Sequence, residues 1–157
     1  MSNEYKDWAA DRIKENKELC AKFPFLKVAD WYTDKVPENY DYTHTWLDDL
    51  EDGWYTAFGI QLCTELAAAL EKEGKLETYR IDQIKEKYGE LRWYDHGGTP
   101  ETDEIIWKYM ELSKKICKNC GAPATKISTG WVSYWCDECA KKINDRMICL
   151  DMLNRTY

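Results

Sequence analysis

The spacing of four cysteines near the C-terminal end constrains the fold of this chain more than any other feature. Cys117 and Cys120 form one Cys-x-x-Cys pair, and Cys136 and Cys139 form a second pair after fifteen intervening residues. Each short loop lets two thiolates converge on one ion, so two such pairs are typical of tetrahedral zinc sites. The sequence therefore predicts one Zn²⁺ with these four cysteines as ligands. Four thiolates leave no coordination position for water or substrate, so we expect the zinc to be structural.

The residues around the second pair predict the fold of this zinc module. Residues 125–128 and 131–135, on either side of a Thr-Gly turn, predict a short hairpin. Apolar residues recur behind Cys139 at helical spacing and predict a helix whose first turn carries two ligands; they are Ala140, Ile143, Met147 and Leu150. This order favours a treble clef. The alternative is a zinc ribbon, which would place the second pair on another hairpin.

Upstream of the cysteines the sequence predicts a mainly helical portion. Apolar spacing indicates helices over about residues 4–21, 45–53 and 55–72, with a long ordered loop over 25–42. Thr99 and Pro100 predict the start of another helix, which leads into the cysteines. We therefore expect an α+β fold with a helical or α+β portion over 1–113 and a zinc module over 114–157, packed as one unit.

The segment 79–95 allows two interpretations. Ile81, Ile84 and Tyr88 fit a helix that ends at Gly89, whereas the β-forming residues on both sides of Gly89 fit a hairpin of about 79–87 with 91–95. The hairpin is the favoured interpretation.

The remaining cysteines and the start of the chain bear on where the protein works. Cys20, Cys63 and Cys149 lie on apolar faces of predicted helices, so we expect buried thiols rather than disulfides. The first residues are too charged for a signal peptide, and no apolar run is long enough to cross a membrane. We expect a cytoplasmic protein that has no membrane partner.

The acidic charge is concentrated in one segment that is also rich in aromatic residues. The chain carries 29 acidic and 22 basic side chains, and residues 30–54 contain eight carboxylates and one lysine. We call residues 30–54 the acidic-aromatic segment. Carboxylates beside rigid aromatic rings can dock a basic protein surface. The predicted contact residues are Trp46, Asp48, Asp49, Glu51, Asp52 and Trp54. The alternative is an ordinary acidic loop whose aromatic rings pack inward.

A second segment has the opposite charge. Lys85, Lys87 and Arg92 lie close in sequence to Tyr94, and cations beside aromatic rings can bind a nucleotide or a nucleic-acid strand. The alternative is a solvated strand face. Residues 114–146 add a weakly basic zinc module to this second candidate surface.

The sequence contains no recognisable catalytic constellation. A zinc deaminase needs a His-x-Glu ahead of its cysteines, and a nuclease of the HNH type needs histidines within the module. Both histidines, His44 and His96, precede the four cysteines of the zinc module. No Gly-rich phosphate loop and no His-Glu-x-x-His motif occurs. We therefore expect a protein that is not an enzyme.

Three motifs follow one another along the chain. The first is Gly53-Trp54-x-x-Ala57-Phe58-Gly59, and the second runs from Ile81 to Tyr94 and is similar to the pattern IxQIKEKFGxLRxY. The third is the cysteine module, with Gly121 after the first pair and Gly130-Trp131 before the second. Together, over about residues 45–142, the three motifs resemble a family of small, uncharacterised zinc-binding proteins of phages and prophages.

The resemblance implies a protein of a virus or mobile element that acts on host machinery. On this basis we expect a non-enzymatic binding protein that inhibits or sequesters a host factor in the host cytoplasm. The expected biology is anti-defence activity, such as anti-CRISPR-like inhibition of a nucleic-acid-binding defence protein. The alternative function is nucleic-acid or nucleotide binding through residues 85–94 and the zinc module.

Overall fold

The chain combines helices with two small antiparallel sheets, so the predicted α+β class is confirmed. The structure is a computed structural model that describes residues 3–153. Its helices are α1 (Asn3–Lys22), α2 (Asp52–Trp54), α3 (Ile60–Lys72), α4 (Pro100–Ser113), α5 (Asp137–Ala140) and α6 (Leu150–Leu153). Its strands are β1 (Arg80–Lys87), β2 (Glu90–His96), β3 (Lys126–Ser128), β4 (Tyr134–Trp135) and β5 (Met147–Cys149). Short 3₁₀ helices cover Pro24–Leu26 and Trp46–Asp49.

The centre of the core is one row of side chains along α2 and α3. A π-helical turn, Tyr55–Gly59, joins the two helices without a break. Residues four positions apart lie on the same side of a helix, and every fourth residue of this stretch is at most 2% exposed: Trp54, Phe58, Leu62, Leu66 and Leu70. We therefore expect that substitutions of the buried residues in 52–72 lower the stability of the hydrophobic core most.

The segment 79–95 is a hairpin, as the favoured interpretation predicted. Strands β1 and β2 pair antiparallel, with Lys85 opposite Arg92 and Ile84 opposite Trp93. The connecting turn has positive φ at Tyr88 and Gly89. The inner face of the hairpin is buried, and the Trp93 indole donates a hydrogen bond to the Tyr79 hydroxyl at 3.0 Å.

Helix α4 begins where the sequence predicted. The backbone N–H of Thr102 donates to the Thr99 hydroxyl at 3.2 Å, and Pro100 occupies the first helical turn. Because Thr99 satisfies an end group of the helix, the start of α4 is fixed. The helix packs against α3 and β2 and delivers the chain to the first cysteine pair.

The predicted helix behind Cys139 is wrong beyond its first turn. Helix α5 ends at Ala140, Met147 lies in strand β5, and Ile143 is 36% exposed. The strand pairs with β3 and completes a three-stranded sheet in the order β4-β3-β5. The carboxylate of Asp145 accepts hydrogen bonds from the backbone N–H groups of Gly130 and Trp131, both at 3.0 Å. These tertiary contacts outweigh the local helical periodicity.

Candidate functional site

The first cysteine pair lies in a tight knuckle directly after α4. The N–H of Cys117 donates to the carbonyl of Ala122 at 2.7 Å, and the N–H of Gly121 donates to the carbonyl of Cys117 at 3.0 Å. Gly121 has φ +83°, a conformation that costs glycine little. The glycine after the second cysteine thus closes the loop that turns both thiols toward one point.

The second pair lies at the start of α5. Cys136 occupies the N-cap position, and its sulfur accepts a hydrogen bond from the N–H of Cys139 at 3.4 Å. The second pair is therefore carried by a helical turn, as the treble-clef interpretation predicted, and not by a second hairpin. The hairpin β3–β4 connects the two pairs, also as predicted.

The four thiols form one cluster that could hold a metal ion. Their sulfur atoms all lie within 4.8 Å of one another, and the sulfurs of Cys120 and Cys136 are 3.7 Å apart. Thiolates about 2.3 Å from a tetrahedral Zn²⁺ lie about 3.8 Å from each other. The Asn119 amide donates to the sulfur of Cys139 at 3.3 Å, the kind of outer hydrogen bond that orients a metal ligand. The donor set and its geometry fit Zn²⁺.

The pKa values of the thiols differ between Cys117 of the first pair and Cys139 of the second. Burial raises the pKa of Cys117, but hydrogen bonds from backbone N–H groups outweigh it and bring the pKa to about 7. For Cys139, the Asn119 hydrogen bond lowers the pKa, while burial and the neighbouring thiols raise it to about 12. A divalent cation among the four sulfurs reverses the effect of the neighbours, because it favours every thiolate at once.

Two glycines join the cysteine cluster to the helical core. Gly53, at the start of α2, donates its N–H to the carbonyl of Lys118 at 2.8 Å. A Cβ atom on Gly53 would lie 2.0 Å from the carbonyl oxygen of Cys117, and one on Gly121 would lie 2.8 Å from the carbonyl oxygen of Gly53. The backbones therefore touch where α2 begins, and the first knuckle is positioned by the body of the protein.

The other three cysteines divide into two groups. Cys20 and Cys63 are buried, as predicted, and burial raises the pKa of Cys20 to about 11 and that of Cys63 even further. The predicted burial of Cys149 on a helix is wrong. Cys149 is exposed and lies at the end of β5, because this segment forms an edge strand.

The predicted contact residues of the acidic-aromatic segment do not form one exposed surface. The prediction is wrong for Trp54, which is 1% exposed and belongs to the core. Trp46 is half-buried and packs against the same core. Asp48 pairs with Arg12, and one of its oxygens accepts a hydrogen bond from the N–H of Thr45 at 2.7 Å. These side chains maintain the fold.

The remaining acidic residues are more accessible. Asp49 and Asp52 are exposed. Glu51 lies 3.6 Å from the Lys118 ammonium and thereby links the segment to the first knuckle. Asp49 and Asp52 are therefore the carboxylates of the predicted set that a partner can reach.

The exposed aromatic pair of this segment lies elsewhere, at Trp31 and Tyr32. Their side chains are 84% and 81% exposed, and their ring centroids are 4.3 Å apart. Sequence reasoning missed them as contact residues. The signal was present in Asp30, since an Asp side chain can accept from the backbone two residues on and so favours a tight turn, and turns lie at the protein surface.

His96 connects this turn to the hairpin. Its Nδ1 lies 2.8 Å from Asp82 Oδ1 on β1, and its Nε2 lies 3.1 Å from Asp34 Oδ2. A protonated imidazole satisfies both carboxylates by donating from both nitrogens. The hydrogen bonds to Asp34 and Asp82 raise the pKa of His96 above its usual value. The other histidine, His44, lies within 3.6 Å of the carboxylates of Asp48 and Asp49.

The residues of the second candidate surface do come together. Lys85, Lys87, Arg92 and Tyr94 lie on the same face of the β1–β2 hairpin, because Lys85 is opposite Arg92 and Tyr94 is two residues further along β2. The Lys85 ammonium lies 5.3 Å from the centroid of the Tyr94 ring. Arg92 pairs with Glu90 at 2.9 Å.

Comparison with known proteins identifies no similar protein from which the role of either surface can be inferred. No protein-family model, curated protein or solved structure matches the chain. Among the described residues, no helix is long and apolar enough to cross a membrane.

Proposed function

We propose that this chain is a non-enzymatic binding protein, held in shape by a structural zinc ion, that docks on a basic surface of a host protein. The observation that carries this proposal is the exposed ring pair of Trp31 and Tyr32. Tyrosine and tryptophan are enriched at protein interfaces, where rigid rings contribute much of the binding energy. Single exposed rings are ordinary, but contiguous exposed apolar patches mark interaction sites, and here two exposed rings lie side by side with centroids 4.3 Å apart.

The turn that carries these rings is fixed by its own hydrogen bonds. The Asp30 carboxylate accepts from the N–H groups of Tyr32 and Thr33 at 3.0 and 2.9 Å. The N–H of Asp34 donates to the carbonyl of Asp30 at 2.8 Å. We call residues 30–35 the Trp31–Tyr32 turn. Because its conformation is already set, binding costs less conformational entropy than ordering a flexible loop.

The charge around the turn indicates the kind of partner. Within the turn the carboxylates of Asp30 and Asp34 outnumber the ammonium group of Lys35, and Asp49 and Asp52 are exposed carboxylates later in the acidic-aromatic segment. Negative charge beside aromatic anchors complements a positive patch, and nucleic-acid-binding proteins carry such patches. We therefore propose a nucleic-acid-binding protein of the host as the target.

The biological role rests on the resemblance to phage and prophage proteins. A phage protein that covers the nucleic-acid groove of a host defence protein would block that defence. Anti-defence inhibition in the host cytoplasm is the role that we propose. The zinc site supports it only as scaffold, since four thiolates leave the metal without an open position.

The test is affinity capture from host lysate with the full-length, zinc-loaded protein. The informative variant is Trp31→Ala/Tyr32→Ala, and the matched control is Trp107→Ala, which removes a ring that is 66% exposed on α4. We expect a protein partner to be captured by the parent and by the control but not by the double variant. Loss of about 2 kcal/mol or more per anchor corresponds to roughly 30-fold weaker binding.

Nuclease treatment and charge reversal test whether capture depends on a protein partner and on the exposed carboxylates. Asp49→Lys/Asp52→Lys should abolish capture, whereas Glu18→Lys/Glu71→Lys, two exposed carboxylates on α1 and α3, should preserve it. A capture that disappears with nuclease and survives all these substitutions would contradict the proposal and favour the nucleic-acid alternative.

A further inference from the structure

We propose that the outer face of the β1–β2 hairpin is a second binding surface, independent of the Trp31–Tyr32 turn, and that it takes single-stranded nucleic acid. The face consists of side chains that alternate along the two strands: Gln83, Lys85, Lys87, Glu90, Arg92 and Tyr94. We call this set the hairpin face.

The pairing register places these side chains together. Successive residues of a strand point to opposite faces of a sheet. Ile84, Leu91 and Trp93 are at most 5% exposed and take the inner face. Lys87 and Tyr94 are exposed on the outer face. The buried residues fix the register, and the register in turn fixes which cations and rings share the outer face.

Each of two lysines on this face is associated with a tyrosine ring. The Lys85 ammonium lies 5.3 Å from the centroid of Tyr94, and the Lys87 ammonium lies 5.7 Å from the centroid of Tyr88 in the connecting turn. Tyr88 is 72% exposed and Tyr94 is 44% exposed. A nucleotide presents a flat base beside an anionic phosphate, so a ring next to an ammonium group matches both of its parts.

The local charge of the face is positive although the whole chain is acidic. Lys85, Lys87 and Arg92 oppose one carboxylate on this face, that of Glu90. The Glu86 side chain accepts from the N–H of Gly89 at 2.5 Å, and Asp82 is occupied by His96. Within a Debye length of about 10 Å, the nearby charges rather than the net charge determine attraction of phosphate.

The shape of the face selects single strands over duplexes. Base stacking on Tyr88 and Tyr94 requires unpaired bases, as on other sheet platforms that bind single-stranded RNA or DNA. A duplex keeps its bases stacked on each other and offers the same lysines only its phosphates. An unpaired strand therefore gains contacts that a duplex lacks.

The experiment uses fluorescence anisotropy of a labelled twelve-residue oligothymidylate with the full-length, zinc-loaded chain. Three phosphate contacts predict a slope of about −2 for log K against log salt concentration, since each contact contributes about −0.7 for single strands. Affinity should therefore fall roughly 20-fold between 50 and 200 mM salt. A duplex of the same length should bind more weakly.

Two variants and one control separate this surface from general charge effects. Lys85→Ala/Lys87→Ala should reduce the slope to about −0.7, and Tyr94→Ala should weaken binding by about five- to 150-fold. The control Lys14→Ala/Lys22→Ala removes two exposed lysines of α1 and should leave affinity within twofold of the parent.

Three outcomes would overturn the proposal: no binding at 50 mM salt, equal affinity for duplex and single strand, or equal losses in the α1 and hairpin variants. All altered side chains are at least partly exposed, so circular dichroism should show the parent fold. Charge reversal, Lys85→Glu/Lys87→Glu, provides a second variant that should remove binding at every salt concentration tested.

Discussion

The cysteine cluster and the acidic-aromatic segment differ in how far sequence determines the role of each side chain. Four cysteines in two short loops converge within 4.8 Å, because three-residue spacing leaves the thiols few other arrangements. In the acidic-aromatic segment, residues of the same type differ in how far their side chains are exposed. Trp54 is 1% exposed and Trp31 is 84% exposed. Short-range spacing determines local geometry, whereas exposure is decided by packing across the whole fold.

Removing one metal ligand should have the largest effect. Cys136→Ser should prevent stable folding, since structural zinc contributes roughly 10–16 kcal/mol of apparent binding energy that is coupled to folding. The measurement is zinc content by elemental analysis together with circular dichroism. We expect one zinc per parent chain and none in the variant.

Cys149→Ser is the matched control within the same module. Cys149 is exposed and lies outside the cluster, so its variant should keep the metal and the parent unfolding temperature. Equal damage from both substitutions, or a parent protein that purifies without metal, would contradict the assignment of the four ligands.

The two tryptophans of the acidic-aromatic segment give the next largest difference. Trp54→Ala should lower the free energy of unfolding by about 3–5 kcal/mol because it leaves a cavity at the first position of the buried row along α2 and α3. Trp31→Ala should change it by about 0.5 kcal/mol or less, as expected for an exposed side chain. Urea denaturation followed by circular dichroism measures both. A similar loss in the two variants would mean that Trp31 is also a core residue.

The sequence predicted those parts of the fold that depend on local chemistry. Thr99 and Pro100 fix the start of α4 through a cap and a preset φ, and the cysteine spacing predicts the ligands. The hairpin was predicted from its β-forming residues around Gly89. The helix cap, each cysteine pair and the hairpin turn all depend on atoms within a few residues of each other.

The parts that the sequence did not predict depend on distant contacts. Met147 fits a helical pattern, yet it lies in β5 because this strand pairs with β3 some twenty residues earlier. Asp145 secures the same segment by accepting from Gly130 and Trp131. For the aromatic residues, their types alone could not show that Trp54 continues the buried row of α3 while Trp31 occupies a turn.

The glycine contact between core and knuckle predicts an intermediate effect. Gly53→Ala should cost about 1–3 kcal/mol through overpacking, since its Cβ would lie 2.0 Å from the carbonyl oxygen of Cys117. The variant should also release zinc faster to a chelator, because the displaced backbone carries a ligand. Both quantities are measured by denaturation and by a colorimetric zinc assay.

Gly59→Ala is the corresponding control in the adjoining π-helical turn. Its Cβ would meet side-chain atoms at 3.4 Å or more, an ordinary contact distance. We expect unchanged zinc release and stability within about 1 kcal/mol of the parent. Faster zinc release from this variant would show that the effect of Gly53→Ala does not depend on the backbone contact.

The smallest effect concerns His96, which fixes the Trp31–Tyr32 turn against the hairpin. Its pKa is raised by hydrogen bonds to Asp34 and Asp82, so protonated His96 stabilises the turn. This stabilisation is fully present below the unfolded-state pKa of histidine and is lost as the pH rises through the higher folded-state pKa. His96 is exposed to solvent, which screens these interactions, so global stability should change little.

Nuclear magnetic resonance can follow this titration because the chain contains two histidines, and His44→Gln assigns the remaining signal to His96. Asp34→Asn and Asp82→Asn should each lower the pKa of His96, because each removes a carboxylate that is hydrogen-bonded to the imidazole. Asp34→Asn should also increase the motion of the Trp31 indole on the nanosecond timescale, because this substitution removes the charged partner that connects the turn to β2. An unchanged indole signal in Asp34→Asn, with a lowered pKa, would show that the hydrogen bonds within the turn are sufficient to hold Trp31 and Tyr32 in place.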